Sequence, residues 1–491
     1  MADPFDESRK SFEFLVADLT GPATATIPHH QLEDFVAQRG RNMLRQLLQD
    51  HLDLRAMREE SEFSDRHAQS PVAGRNRLER GHVRQLATVL GPVTVRRVAL
   101  RAPGKRNIYP ADVVLSLPAG RHSHGLRRLA VLEAVRSSYD ATKSAIESRC
   151  GPVAGKRQLE ELVASAAVDI DDFYAAKIPA PAGPTTLLVI SADGKGIVMR
   201  SEALREPTRR AARTAPLFRT RLASGEKPNR KRMATLAAVY DTDPAPRRAH
   251  DVIAIPGGRT GERRPRPGPR ATNTWLTGSV AKDPGEVIAD AFDQAEARDP
   301  THERPWIALV DGDLHQIGLL RAEATRRRVS VHIVCDLVHV RQYLWRCAWC
   351  FHAQGDPAAE DWVAEHALGI LAGHVRHVAD LIESDAADLP MDRRESVAAA
   401  VGYLRRHAEY LCYDTALTRG WPIATGVIEG AARHLVRDRL EIASSRWGLD
   451  GAEAILRLRA LVGNGHFDEY WKQHLLREHQ RVHLADRQIA A

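Results

Sequence analysis

No apolar run in the 491-residue chain approaches the roughly 18–20 residues that a bilayer crossing needs. Its first ten residues, MADPFDESRK, lack the basic-then-apolar layout of a secretory signal. Both absences lead us to expect a cytoplasmic protein with no membrane partner. Cysteine is scarce too: Cys150, Cys335, Cys347, Cys350 and Cys412 are an odd number in a long chain, which argues against a disulfide framework. Cys347 and Cys350 form a CxxC with His352 just beyond, but no second CxxC completes a tetrahedral zinc site, and VRQYLWRCAWCFH reads as a buried helix. Neither sign of charge dominates, with 70 Lys and Arg against 63 Asp and Glu for a net +7.

The distribution of charge says more than its sum. Between Arg205 and Arg232 the chain carries ten Lys or Arg against two Glu, ending in Arg230, Lys231 and Arg232. Such a concentration is the footprint of a phosphate-backbone contact, or else a solvated surface loop. A second basic stretch, IPGGRTGERRPRPGPR, reads as a Pro/Gly-rich surface loop.

Periodicity divides the chain into a helical N-terminal region (1–80), a small β element (81–118), a helical region (119–180), an α/β core (181–340), a helical insertion (341–415) and a return to the core with a C-terminal tail (416–491). Residues 1–80 show helical spacing and no evident chemistry. In QLATVLGPVTVRRVALRAP, alternation around a Gly-Pro break predicts a hairpin. Within 119–180, a short helix, a Cys150-Gly151-Pro152 turn and a basic helix from about Lys156 have the outline of a DNA-reading helix-turn-helix, an outline that any helical hairpin shares.

In the core, TTLLVISAD, GIVMRS and MATLAAVYDT read as three strands, followed by helix GEVIADAFDQAEARD, strand PWIALVDGD, helix HQIGLLRAEATRRR and strand VSVHIVCD. That order is the order of a ribonuclease-H-like α/β domain. GWPIATGVIEGAARHLVRDRLE reads as a long late helix capped by Thr425.

Two strands end in a carboxylate followed by glycine, at Asp193 (ISADGKG) and Asp311 (ALVDGDLH), and Glu429 sits on the late helix. In this strand order the first strand and the one after the first helix are neighbours, so Asp193 and Asp311 can meet, with the helix across them. Three carboxylates in one cleft repel unless cations bind, and hard oxygen ligands suit Mg²⁺ or Mn²⁺. Two such ions can activate an attacking oxygen and stabilise the leaving one at a phosphodiester. Each acid also has a bland role: Asp193 as a turn residue, Asp311 beside the competing Asp313, and Glu429 paired with Arg433 one turn on. Arg433, Arg437 and Lys195 are positioned to neutralise phosphates. Trp447, in SSRWG, is either core or a platform for an extruded base.

The stretches ISADGKGIVMR, NRKRMATLAAVYD, LVDGDLHQI, WPIATGVIEGAARHLVRDR and SSRWGLDGAEAILRLRAL resemble the ISKra-type insertion-sequence transposases, a bacterial DDE group, over most of the chain. The resemblance implies a ribonuclease-H-like fold with a helical insertion before the glutamate, and Asp193, Asp311 and Glu429 as the metal-binding triad. It also implies a supporting role for Asp336 and His339 in HIVCDLVH, where a plain helix cap is the competing reading. The function implied is binding of the element's terminal inverted repeats in double-stranded DNA, two-metal cleavage and strand transfer into target DNA. A homo-oligomer assembled on DNA is expected, because two element ends must be joined. A nuclease without strand transfer and a non-catalytic DNA-binding regulator are the competing functions.

Overall fold

The computed structural model describes residues 3–67, 77–179, 182–214, 229–254, 256, 264–442 and 445–484. The centre of the first basic stretch (215–228) and part of the arginine-rich loop (257–263) lie outside the described residues. Two compact units emerge. One joins Met1–Ala175 to Phe467–Ala491, and the other is Ala176–His466. Residues 416–466, with the late glutamate helix, thus lie in the α/β unit, and the C-terminal tail from Phe467 belongs with the N-terminal residues. Among the described residues no helix is long and apolar enough to cross a membrane.

In the first unit, helices Asp6–Thr20 and His29–His67 precede a hairpin of strands β1 (Arg77–Thr88) and β2 (Gly91–Arg101). The expected Gly-Pro break lies just past the turn: Gly91 has φ +116°, and Thr88 Oγ1 accepts from Leu90 N and donates to Gly91 O. The long helix packs on β2, burying Leu52 with Leu86, Val93 and Val95. Three short helices follow, His124–Ala134, Tyr139–Cys150 and Lys156–Ser165, the first two capped by Ser123 and Ser138. Gly151 turns the second into the third at φ +80°, a conformation open to glycine. Helix Phe467–His479 joins this unit through Tyr470 Oη, which donates to Ala166 O.

The second unit is a mixed α/β layer built on five strands: β3 (Leu187–Val198), β4 (Lys231–Thr242), β5 (Thr272–Ser279), β6 (Trp306–Val310) and β7 (Val331–Cys335). Their order is β5-β4-β3-β6-β7, with β4 antiparallel to both its neighbours and β3, β6 and β7 mutually parallel. All of β6 is buried, which is why its sequence is a continuous apolar run rather than an alternating one. Helix Pro284–Arg298 turns Val287, Ile288, Ala291, Phe292 and Ala295 inward, at the spacing of one helical face.

Two strand expectations are corrected. TTLLVISAD and GIVMRS are one strand, because β3 runs through Asp193-Gly194-Lys195-Gly196 while paired to β4. The third strand is TNTWLTGS, which follows the arginine-rich loop. The expected helical insertion is present as helices Leu337–Phe351, Pro357–Leu371, Val375–Asp385, Met391–Arg406 and Tyr413–Thr418. Cys347 and Cys350 are buried thiols on the first of these.

At the end of the sheet remote from the acids, Asp241 is buried and accepts from Arg304 Nη2 (2.5 Å), Asn273 Nδ2 (3.1 Å) and Arg298 Nη1 (3.3 Å). Arg304 also donates to the carbonyls of Thr186 and Leu187, clamping the start of β3. Removing the carboxylate leaves two buried guanidinium groups without their counter-charge. Asp241→Ala is expected to lower the unfolding free energy of this unit by about 3–5 kcal/mol, read by urea titration of tryptophan fluorescence.

Candidate active site

Strand register brings the acids together. Ser191 on β3 is the partner of Leu309 on β6, and its hydroxyl donates to the Leu309 carbonyl at 3.0 Å. Asp193 and Asp311 each lie two residues further along these parallel strands. On the other side of β6, Val310 partners Cys335 and accepts from Asp336 N at 2.8 Å. Asp336 therefore follows β7 at the level where Asp311 follows β6. The three acids occupy adjacent strands about 4.8 Å apart.

The glycines beside Asp193 are not a loose turn. A β-carbon on Gly196 would stand 2.9 Å from Lys231 Cδ, and one on Gly194 would stand 3.3 Å from Met233 Cε. Cross-strand side chains of β4 lie over these two glycines, so a β-carbon at either would require the flexible ends of Lys231 or Met233 to move aside. Asp193 is half-buried, and its Oδ1 accepts from Gly194 N at 2.6 Å. Desolvation raises its pKa, the negative charge of Asp311 adds to the effect, and the Gly194 amide, Lys195 and His339 oppose it.

Asp311 sits on a turn fixed from behind by the helical insertion. Its Oδ1 accepts from Asp313 N, and Gly312 takes φ +100°. Tyr403 Oη donates to the Asp311 carbonyl (3.3 Å), and His407 Nε2 lies 2.8 Å from the Gly312 carbonyl. Asp313 accepts from Gln316 N as the cap of helix Leu314–Arg327, which explains it without a ligand role.

Asp336 is wholly buried and does cap helix Leu337–Phe351, accepting from Val338 N. It does more than cap. Its Oδ2 lies 3.1 Å from His339 Nδ1 and accepts from Thr425 Oγ1 at 2.9 Å. Desolvation alone would raise its pKa, but hydrogen bonds from His339, Val338 and Thr425 hold it below the ordinary value. His339 is shifted upward, first by the Asp336 hydrogen bond, against desolvation, with the charges of Asp336, Asp311 and Glu429 adding.

Glu429 lies on helix Gly426–Ala431, which packs against β3 and β4 and continues through a π-helical turn, Ala432–Arg437, into Asp438–Leu440. The preceding GWPIAT is not helical, and Thr425 makes no side-chain cap; its hydroxyl faces Asp336 and, at 3.4 Å, Glu429 Oε1. Ligand atoms of Asp336, His339 and Glu429 all lie within 4.8 Å of one another, the only such three-residue group among the described residues. Asp193, Asp311 and Glu429 thus do not close into one ligand group by themselves. Asp193 and Asp311 interact as a pair, and His339, which feels both of them and Glu429, links that pair to the group.

The expected helix-surface pair is not formed: among the described residues no ion pair joins Glu429 to Arg433. Arg433 and Arg437 are exposed, and Lys195 is partly exposed two residues from Asp193, on the same side of β3. Two other expectations are corrected. Trp447 is buried, donates from Nε1 to Leu440 O, and lies under the Arg439 guanidinium at 4.8 Å, which makes it core rather than a platform for a base. Arg232 spends its guanidinium on the carbonyls of Val280, Ala203 and Ala281. Lys231 and Arg230 are exposed; Lys231 pairs with Glu441 at 3.2 Å, and among the described residues Arg230 forms no ion pair. Sequence reasoning missed Thr425 as a bridge, and Tyr403 and His407 as the backing of the Asp311 turn; no local motif marks them.

Carboxylate oxygens suit hard divalent cations such as Mg²⁺ or Mn²⁺, whereas the His339 imidazole also suits transition metals such as Zn²⁺, so the group by itself does not select one metal. No protein-family model matches the chain, and no curated protein matches it.

Two measurements probe this geometry. A β-carbon at residue 312 would lie 2.6 Å from Tyr403 Oη in a backbone conformation unfavourable to alanine, so Gly312→Ala should destabilise the protein by more than about 1 kcal/mol in chemical unfolding. Because His339 has a raised folded pKa, its contribution to metal-free stability is full below the ordinary value of 6.5 and is lost as pH rises through the folded value. His339→Gln should flatten the stability–pH curve over that window.

Proposed function

We propose that the chain is a metal-dependent DNA phosphodiester enzyme, a DDE transposase with a ribonuclease-H-like catalytic unit. The observation that carries this reading is the row of carboxylates at the ends of β3, β6 and β7 with Glu429 facing it from a helix laid across β3 and β4. The strand order, with the second strand antiparallel and a helical insertion before the glutamate, supports the ribonuclease-H-like reading. The resemblance of the motifs around Asp193, Asp311 and Glu429 to ISKra-type transposases supports the choice of chemistry.

In this reading Asp193, Asp311 and Glu429 would hold two Mg²⁺ ions, for which Mn²⁺ can substitute, with Asp336 and His339, which group with Glu429, completing the site. When bound, such ions supply a nucleophilic oxygen at neutral pH and stabilise the leaving oxygen of the phosphodiester. The remaining work falls to the chain. Asp311 is held on a turn that Tyr403 and His407 keep from shifting. Thr425, just before the glutamate helix, donates its one hydroxyl proton to Asp336 at 2.9 Å, which sets the start of that helix against the sheet end. His339, whose pKa is raised beside Asp336, Asp311 and Glu429, would share those carboxylates with a bound cation, so metal uptake should release protons. Arg433, Arg437, Lys195 and Arg230 face solvent and would neutralise DNA phosphates. Hydrolysis frees a 3′-hydroxyl, and the same carboxylates then serve its attack on a target strand. Joining two ends requires a homo-oligomer on double-stranded DNA.

The test is cleavage of a labelled element end in Mg²⁺. Thr425→Val, which removes a supporting hydrogen bond, should slow cleavage about ten- to a hundredfold, and Asp193→Asn and Glu429→Gln should slow it more. Equal activity in wild type and both acid variants would dismiss the site. Cleavage without joined products, when paired ends and a target plasmid are supplied, would reduce the function to that of a nuclease.

A further inference from the structure

The N-terminal unit carries a charged cavity of its own. It measures about 530 Å³ and is walled by the long helix His29–His67, the tip of the β1–β2 hairpin, Arg121 and the Gly151 turn between helices Tyr139–Cys150 and Lys156–Ser165. Three arginines line it, Arg41, Arg45 and Arg121, together with the amide side chains of Gln38, Asn42 and Gln85; none of its lining residues is acidic.

Among the described residues none of the three forms an ion pair with a carboxylate. The Arg41 guanidinium donates to the Ser148 carbonyl at 3.2 Å, just before the turn. The Arg45 stem crosses the hairpin tip where Gly91 has no side chain; a β-carbon there would stand 3.2 Å from Arg45 Cδ. The backbone of Arg121 is fixed at the hairpin, its carbonyl accepting from Ala87 N at 2.7 Å. Three like charges around one hollow repel, and an anion entering it relieves that repulsion while meeting the side-chain amides of Gln38 and Asn42 at the rim.

We infer that this cavity binds a backbone phosphate of a nucleic-acid strand, in a contact separate from the carboxylate site. Guanidinium groups with amide donors match phosphate oxygens, and the volume admits a phosphate with part of its sugar. A strand is favoured over a free phosphorylated metabolite by the exposed rim, where Gln38, Asn42 and Arg121 all face solvent, and by the absence of any aromatic lining residue that would grip a base. Such a contact positions the nucleic acid and carries no sequence information by itself. The assignment rests on the reading of a nucleic-acid substrate given above, although its residues lie in the other unit.

The experiment measures full-length protein binding to a labelled duplex of arbitrary sequence, in EDTA, across 50–200 mM salt on the order used for such titrations. The combined variant Arg41→Gln, Arg45→Gln, Arg121→Gln should bind about tenfold or more weakly. Its slope of log affinity against log salt should be shallower by about 1 for each phosphate lost. The charge-keeping variant Arg41→Lys, Arg45→Lys, Arg121→Lys should recover most of that slope, which misfolding would not allow. Unchanged affinity and slope in the glutamine variant would overturn the proposal, and so would a lysine variant as shallow as the glutamine one. A phosphorus NMR titration with adenosine monophosphate forms the second arm. Binding as tight as that of the duplex would assign the cavity to soluble phosphate esters instead. If the glutamine variant keeps wild-type binding while wild type cleaves, only this site falls. If wild type never cleaves while the salt slope responds as expected, only the enzymatic reading falls.

Discussion

Parallel pairing of β3, β6 and β7 is the constraint on which the rest of the candidate site depends. β6 is buried along its entire length and packed on both faces, with its backbone paired to β3 on one side and β7 on the other. The register is therefore held by the core, and the Ser191 hydroxyl bonded across to Leu309 marks its last step before the acids. Once that register is set, Asp193, Asp311 and Asp336 have no freedom to separate. Apolar packing beneath them holds them there, and burial is the main reason the pKa of Asp193 is raised, with the charge of Asp311 adding to it.

Support from above comes from the helical insertion and the glutamate helix. Tyr403 stacks between Tyr343 and His407, with ring centroids 4.1 and 4.2 Å away, so the group that touches the Asp311 backbone is itself immobilised. Thr425 joins the cap of one helix to the start of another. The insertion is thus part of the site's architecture, although none of its own acids enters the ligand group among the described residues.

Much of this was legible in the sequence because buried strands and amphipathic helices leave apolar runs. The motifs at Asp193, Asp311 and Glu429 could be assigned to elements before any coordinates. Other features were hidden for identifiable reasons. Gly194 and Gly196 look like chain breakers, yet they are extended because they pair with Thr235 and Met233 in the β3–β4 ladder, a fact of the partner strand. The edge strand TNTWLTGS is too polar to announce itself, since only its Trp275, Gly278 and Ser279 are buried. Arg232 and Trp447 have the composition of a binding surface and the surroundings of a core, and only tertiary contacts separate the two. The arginine-lined cavity draws its residues from segments far apart in the chain, so no window of sequence could display it.

The π-helical turn at Ala432–Arg437 has a consequence for how the glutamate is aimed. A regular helix locks the azimuth of every side chain to every other, so seating the buried Leu440 would dictate the heading of Glu429. A widened turn between them acts as a phase joint, allowing the anchoring part to settle into the core while the leading part keeps its own bearing on Asp336 and His339. Aim and anchorage can then be adjusted separately in one continuous rod.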